Sequence, residues 1–151
     1  MKTKQVVDVY NVLCGAKLSK MEDKDKFIVI KAMRQLKPVA VSYEDEMKDA
    51  REKLKDDRFD DMQALAKDWE KKYGRNARIS DLPAGEVGKL EEINGYFMAY
   101  QHNVDKYAEE LLAKDNELSY GRLSEEAFGK LVSSNDFDVQ TIMDLQDALM
   151  N

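Results

Sequence analysis

The chain has almost none of the residues from which disulfide scaffolds and zinc sites are built. Cys14 is its only cysteine and His102 its only histidine among 151 residues. No intrachain disulfide can form, and a zinc site, which draws four ligands from such residues, is not expected. Prolines number two and glycines seven, which excludes collagen-like chains and Gly/Pro-rich low-complexity sequence. No apolar run approaches the ~20 residues that a bilayer-spanning helix requires, so no membrane partner is expected. Within the first residues, Asp8 and Asn11 interrupt what would be a signal-peptide core. The expectation is a soluble, cytoplasmic protein.

Catalytic signatures are equally scarce. The glycines form neither G-x-x-x-x-G-K nor G-x-G-x-x-G, and no G-x-S-x-G elbow occurs. A serine nucleophile would have only His102 as a partner. His102 itself, between Gln101 and Asn103, reads as a solvated or interfacial histidine. Cys14 follows Val12-Leu13 and is expected to pack as a small hydrophobe, since nothing nearby would lower its pKa. The acidic runs Asp56, Asp57, Asp60, Asp61 and Asn135-Asp136-Phe137-Asp138 lack the alternation and turn glycine of a calcium loop, and read as solvated faces or caps. Neither an enzymatic activity nor a cofactor is expected.

Charge and helical periodicity are abundant. Charged residues make up 36% of the chain, 24 basic against 30 acidic for a net charge of −6. The charges are unevenly spread: residues 1–38 hold nine basic and four acidic side chains, a balance of +5, and the remainder has a balance of −11.

Val6, Val9, Tyr10 and Leu13 mark a short first helix with Gly15 as its stop. Ser19-Lys20-Met21-Glu22 has capping-box spacing and predicts the next helix start. Ile28, Ala32, Leu36, Val39, Tyr43, Met47, Ala50 and Leu54 then keep one helical face in phase for seven turns. Pro38 lies inside that run. Either the helix stops before Lys37 and restarts at Ser42, or one helix continues with a kink at the proline; the unbroken phase favours the kink.

Phe59, Met62, Leu65, Ala66, Trp69 and Tyr73 form a second stripe, and whether the chain bends near Asp56 is left open by the pattern. The segment from Gly74 through Pro83 to Gly88 reads as the clearest loop. Beyond it, Leu90, Ile93, Phe97, Tyr100, Val104, Tyr107 and Leu111 step by 3 and 4 in a heptad seam. Gly95 within this helix would permit a close helix approach. In the tail, Leu118–Leu123 reads as an extended piece or turn. Ser124 caps a helix over Glu125–Val132, and Val139, Ile142, Met143, Gln146 and Leu149 mark a last amphipathic helix.

These elements predict an all-α single domain over residues 1–151. Its frame is a long antiparallel helical hairpin, with a short N-terminal helix laid across it and a smaller helical tail over 116–151. The leading expectation for function is a non-enzymatic protein-interaction or assembly module, binding a protein partner or a second copy. It rests on Tyr96, Phe97, Tyr100 and Tyr107, because aromatics are enriched at interfaces. The alternative is a nucleic-acid-associated accessory protein using the basic N-terminal third. Lys71, Lys72, Arg75 and Arg78 form a second small cluster for phosphate or acidic partners. Neither cluster has interleaved stacking aromatics, and the net charge repels phosphate, so nucleic acid is the weaker expectation.

One resemblance covers about half the chain. Val6-Val7-Asp8-Val9-Tyr10-Asn11, then Lys31-Ala32-Met33-Arg34-Gln35-Leu36-Lys37-Pro38, Tyr43 and Ala50-Arg51-Glu52-Lys53-Leu54 follow one another in order. Leu123-Ser124-Glu125-Glu126-Ala127-Phe128 comes before the last helix. This order resembles that of small uncharacterised helical proteins encoded in tailed phages and prophages. The resemblance implies a non-enzymatic accessory role in virion morphogenesis or host takeover, inside a bacterial or phage-infected cell. It transfers no functional residue.

Overall fold

A computed structural model describes residues 1–150. The fold is all-α. Its elements are α1 (Thr3–Cys14), α2 (Asp23–Lys53), α3 (Phe59–Tyr73), a single 3₁₀ turn (Ile79–Asp81), α4 (Ala84–Leu112), α5 (Glu125–Ser133) and α6 (Val139–Leu149). No helix among the described residues is long and apolar enough to cross a membrane. The chain divides into two compact units, Met1–Glu46 with the segment from Glu109 onward, and Met47–Ala108.

The first unit holds the main apolar cluster. Val6, Val9 and Leu13 of α1 meet Val29, Ala32 and Leu36 of α2, joined by Ala127, Phe128 and Leu131 of α5 and by Leu145, Ala148 and Leu149 of α6. The helix expected to lie across a hairpin therefore has another role: α1 packs most extensively against α6. The tail, expected as a smaller subregion, supplies about half of this cluster. Within α6 the buried face is Leu145, Ala148 and Leu149, whereas Val139 and Met143 are 74% and 54% exposed. Of the expected stripe Val139, Ile142, Met143, Gln146 and Leu149, Leu149 is buried and Ile142 packs against the cluster, whereas Val139 and Met143 lie to one side of the face that packs.

Local chemistry explains the starts of α5 and α6. Ser124 accepts the Ala127 amide at 3.2 Å and Asp138 accepts the Thr141 amide at 2.7 Å, satisfying donors that a helix start leaves open. The start at Ser19 does not form. Instead the Met21 amide bonds the Leu18 carbonyl at 3.0 Å, and the Asp25 and Lys26 amides of α2 bond the Glu22 carbonyl. Met21 is buried, and the turn that delivers it to the core uses up the segment expected to begin the helix. Gly15 ends α1 at φ −100°, so this stop needs no left-handed glycine. Cys14 is exposed rather than packed, about 100° around α1 from buried Leu13.

α2 runs unbroken through Pro38, and the alternative with a stop before Lys37 does not occur. The seam beyond it is interrupted: residues 54–58 leave helical geometry before α3 begins. The first limb of the expected hairpin is therefore two helices. The loop is also shorter than expected, because α4 starts at Ala84 and takes in Gly85 and Gly88. Gly74 ends α3 at φ 75°, ψ 169°, a conformation open essentially to glycine alone. Around Gly95 nothing stands within 4 Å of where a Cβ would lie, so no close helix approach depends on it.

Leu145→Ala tests whether the tail belongs to the core. The side chain is fully buried, and its truncation should cost about 2–5 kcal/mol in urea unfolding. A loss below about 1 kcal/mol would show that α6 is peripheral.

Candidate functional site

The aromatic residues singled out in the sequence lie in the second unit, where α3 and α4 are neighbours. Phe59 opens α3 and is buried. Its ring meets Phe97 edge-on at 5.7 Å and Tyr100 at 5.0 Å, and Phe97 meets Tyr96 at 5.3 Å. Such edge contacts add ~0.5–1.5 kcal/mol beyond area burial.

The hydroxyls are tied down as well. Tyr100 donates to the Arg51 carbonyl at 2.6 Å, and Tyr96 donates to Asp56. The same Asp56 carboxylate accepts the Arg58 amide at 3.0 Å, while the Arg58 guanidinium reaches Glu92 at 3.2 Å. Three of the four expected partner-binding residues, Tyr96, Phe97 and Tyr100, are thus occupied inside this unit. Tyr107 is the exposed one, at 37%. Asp56 of the acidic run has become a turn acceptor, as a cap reading requires.

Burial, then the hydrogen bond to Asp56, pushes the Tyr96 phenol up to about 12. The same hydrogen bond and the Arg58 amide hold the Asp56 carboxyl below its ordinary range.

Farther along α3 the packing opens. Trp69 and Tyr73 stack obliquely with centroids 4.5 Å apart. With Leu65 and Ile93 they floor an open cavity of about 270 Å³. Its rim is charged, with Asp68 and Lys72 on α3 and Glu86, Lys89 and Glu92 on α4. Lys89 pairs with Glu86 at 3.4 Å, and the Lys72 ammonium sits 5.4 Å from the Tyr73 ring centre. Leu65 is 50% exposed.

The basic cluster Lys71, Lys72, Arg75 and Arg78 does not converge on one point. Lys71 and Lys72 occupy the last turn of α3, Arg75 pairs with Glu70, and Arg78 precedes the 3₁₀ turn. Only Lys72 borders the cavity. Trp69 and Tyr73 were legible as stripe residues but not as open ones. The available signal is that α4 offers Glu86 and Lys89, rather than apolar side chains, at the level where α3 offers Trp69 and Tyr73.

Chemically, the cavity suits an apolar side chain. It lacks a nucleophile paired with a base, and its volume falls just short of the ~300–1,000 Å³ of small-molecule sites. Among the described residues, no three His, Cys, Asp or Glu side chains converge as a metal-ligand set. No protein family, curated protein or solved structure matches the chain.

The Tyr96–Asp56 contact sets a pH dependence of known sign. The raised phenol contributes stability that is complete below the ordinary value of 10.0 and is lost between 10.0 and about 12. The lowered carboxyl contributes above 3.8 and loses its contribution as pH falls below that. In Asp56→Asn the phenol should titrate clearly below about 12 in an ultraviolet absorbance titration, yet stay above 10.0 because burial remains. An unshifted Tyr96 titration would refute the contact.

Proposed function

We propose that the protein is a non-enzymatic helical interaction module that receives a bulky apolar side chain of a partner protein in the cavity between α3 and α4. The resemblance to small phage and prophage proteins supports an accessory role of that kind. The observation that carries the reading is the half-buried pair Trp69 and Tyr73, stacked in the cavity beside half-exposed Leu65. Tryptophan and tyrosine dominate the energetics of interfaces when a partner seals them from water. Here they line the cavity, while Tyr96 and Tyr100 have internal hydrogen-bond partners. The mixed rim, with Glu86 and Lys89 already paired, favours orientation of the incoming segment over strong attraction.

Trp69 is the only tryptophan in the chain, so its emission reports on the cavity alone. Peptides selected from a display library against the intact protein should carry a large apolar anchor and shift Trp69 emission. Leu65→Asp, at a half-exposed position, should weaken them by about tenfold or more with little change in folding. Selected binders that ignore both Trp69 and Leu65→Asp would sink the proposal. Loss of the emission shift on dilution of the free protein would identify a second copy as the occupant.

A further inference from the structure

The outward face of α2 carries a second seam that the fold leaves without a neighbour. Val29, Ala32, Leu36 and Ala40 are its buried side in the first unit. At ~100° per residue, Phe27, Ile30, Arg34, Lys37 and Val41 fall within about 80° of arc on the opposite side. They step by 3, 4, 3 and 4, the spacing of a heptad seam. All five are exposed, with Phe27 at 61%, Ile30 at 39% and Val41 at 40%. Single exposed hydrophobes need no explanation; three in register along one line of a helix do. The cations in and beside the line, Lys31, Arg34 and Lys37, make no ion pair among the described residues.

We propose that this face docks an acidic amphipathic helix of a partner protein, lying along α2 for about two heptads. Apolar residues of that helix would cover Phe27, Ile30 and Val41, and its carboxylates would meet Arg34 and Lys37. Charge complementarity selects this occupant. The seam puts Arg34 and Lys37, which make no ion pair among the described residues, at two of its five positions, where coiled-coil partners are chosen by charge.

The other occupants fit less well. A second copy of α2, parallel or antiparallel about Arg34, would set Arg34 against Arg34 and concentrate cations. A lipid surface calls for an apolar face of about 100° or more, whereas this stripe is a single line interrupted by two charges. A nucleic-acid duplex would leave the apolar positions unused. The proposal uses residues of the first unit only and does not rest on the α3/α4 cavity.

The test uses the full chain and two synthetic 21-residue peptides with leucine seams. One carries glutamate at the two positions facing Arg34 and Lys37, and the other carries lysine there. The glutamate peptide should bind, gain helicity on binding and weaken as salt rises. In the double variant Arg34→Glu, Lys37→Glu the preference should exchange by about tenfold or more in favour of the lysine peptide. Phe27→Asp should abolish binding of the glutamate peptide, while Leu65→Asp should leave it unchanged. The proposal fails if the wild-type protein does not prefer the glutamate peptide, or if the double variant keeps the wild-type preference. It also fails if vesicles with phosphatidylserine, or a DNA duplex, bind more tightly than either peptide.

Discussion

The burial that joins the two ends of the chain is the constraint on which the first unit depends. Helices of 12, 9 and 11 residues, as α1, α5 and α6 are, are marginal in water by themselves. They persist because Val6, Val9, Leu36, Leu131, Leu145 and Leu149 leave solvent almost completely and together. Connecting segments are bonded onto that cluster. The Thr3 amide reaches the Lys114 carbonyl and the Asn116 amide reaches the Met1 carbonyl, both at 2.9 Å. Asn135 closes a loop by accepting the Lys17 amide at 2.8 Å and donating to its carbonyl at 3.0 Å. The Leu123 amide bonds the Leu149 carbonyl at 2.8 Å. Ordering so much irregular backbone is costly, and the shared core makes the cost tolerable.

Pro38 shows how the same constraint decides a local question. An interior proline removes one helix bond and crowds the carbonyl four residues earlier, at a cost of ~3 kcal/mol or more. Stopping the helix there would cost more, because Leu36 and Ala40, both buried, flank the proline. Breaking the turn between them would take one or both out of the core. The proline is exposed, so the Arg34 carbonyl left without its amide partner lies on the wet side of α2, where water can satisfy it. A proline at Leu36 or Ala40, on the buried side, would instead free the carbonyl of Ala32 or Leu36, both buried residues.

Helix existence and phase were legible wherever one face of a helix dominates. The seam of α4 is the clearest case: Ile93, Val104 and Leu111 are buried as its spacing requires. Ser124 was legible as a cap because nothing competes with it. Ser19 misled because the sequence cannot weigh a capping box against the demand that Met21 reach the core. In α6 the stripe met the core through Ile142 and Leu149 but not through Val139 and Met143. Val139 and Met143 lie on one side of α6 and Leu145 and Ala148 on another, and only the position of α1 decides which side is covered. Long-range pairing of α1 with α6 leaves no mark in local periodicity.

The same reasoning applies to the aromatics that residue type singles out. Tyr96, Phe97 and Tyr100 are conspicuous in the sequence, yet Phe59, Asp56 and the Arg51 carbonyl stand opposite them and use them up. Trp69 and Tyr73 are less conspicuous, and opposite them stand Glu86 and Lys89. Phe27, Ile30 and Val41, by contrast, stay exposed at 61%, 39% and 40%. Availability is thus a property of pairs: an apolar side chain is free for a partner only where the facing position fails to match it. A helix with apolar groups on two sides, of which the fold covers one, carries its excess on the other side. In α2 that excess coincides with the cations that lack internal partners, and the two mismatches together define what kind of surface would complete it.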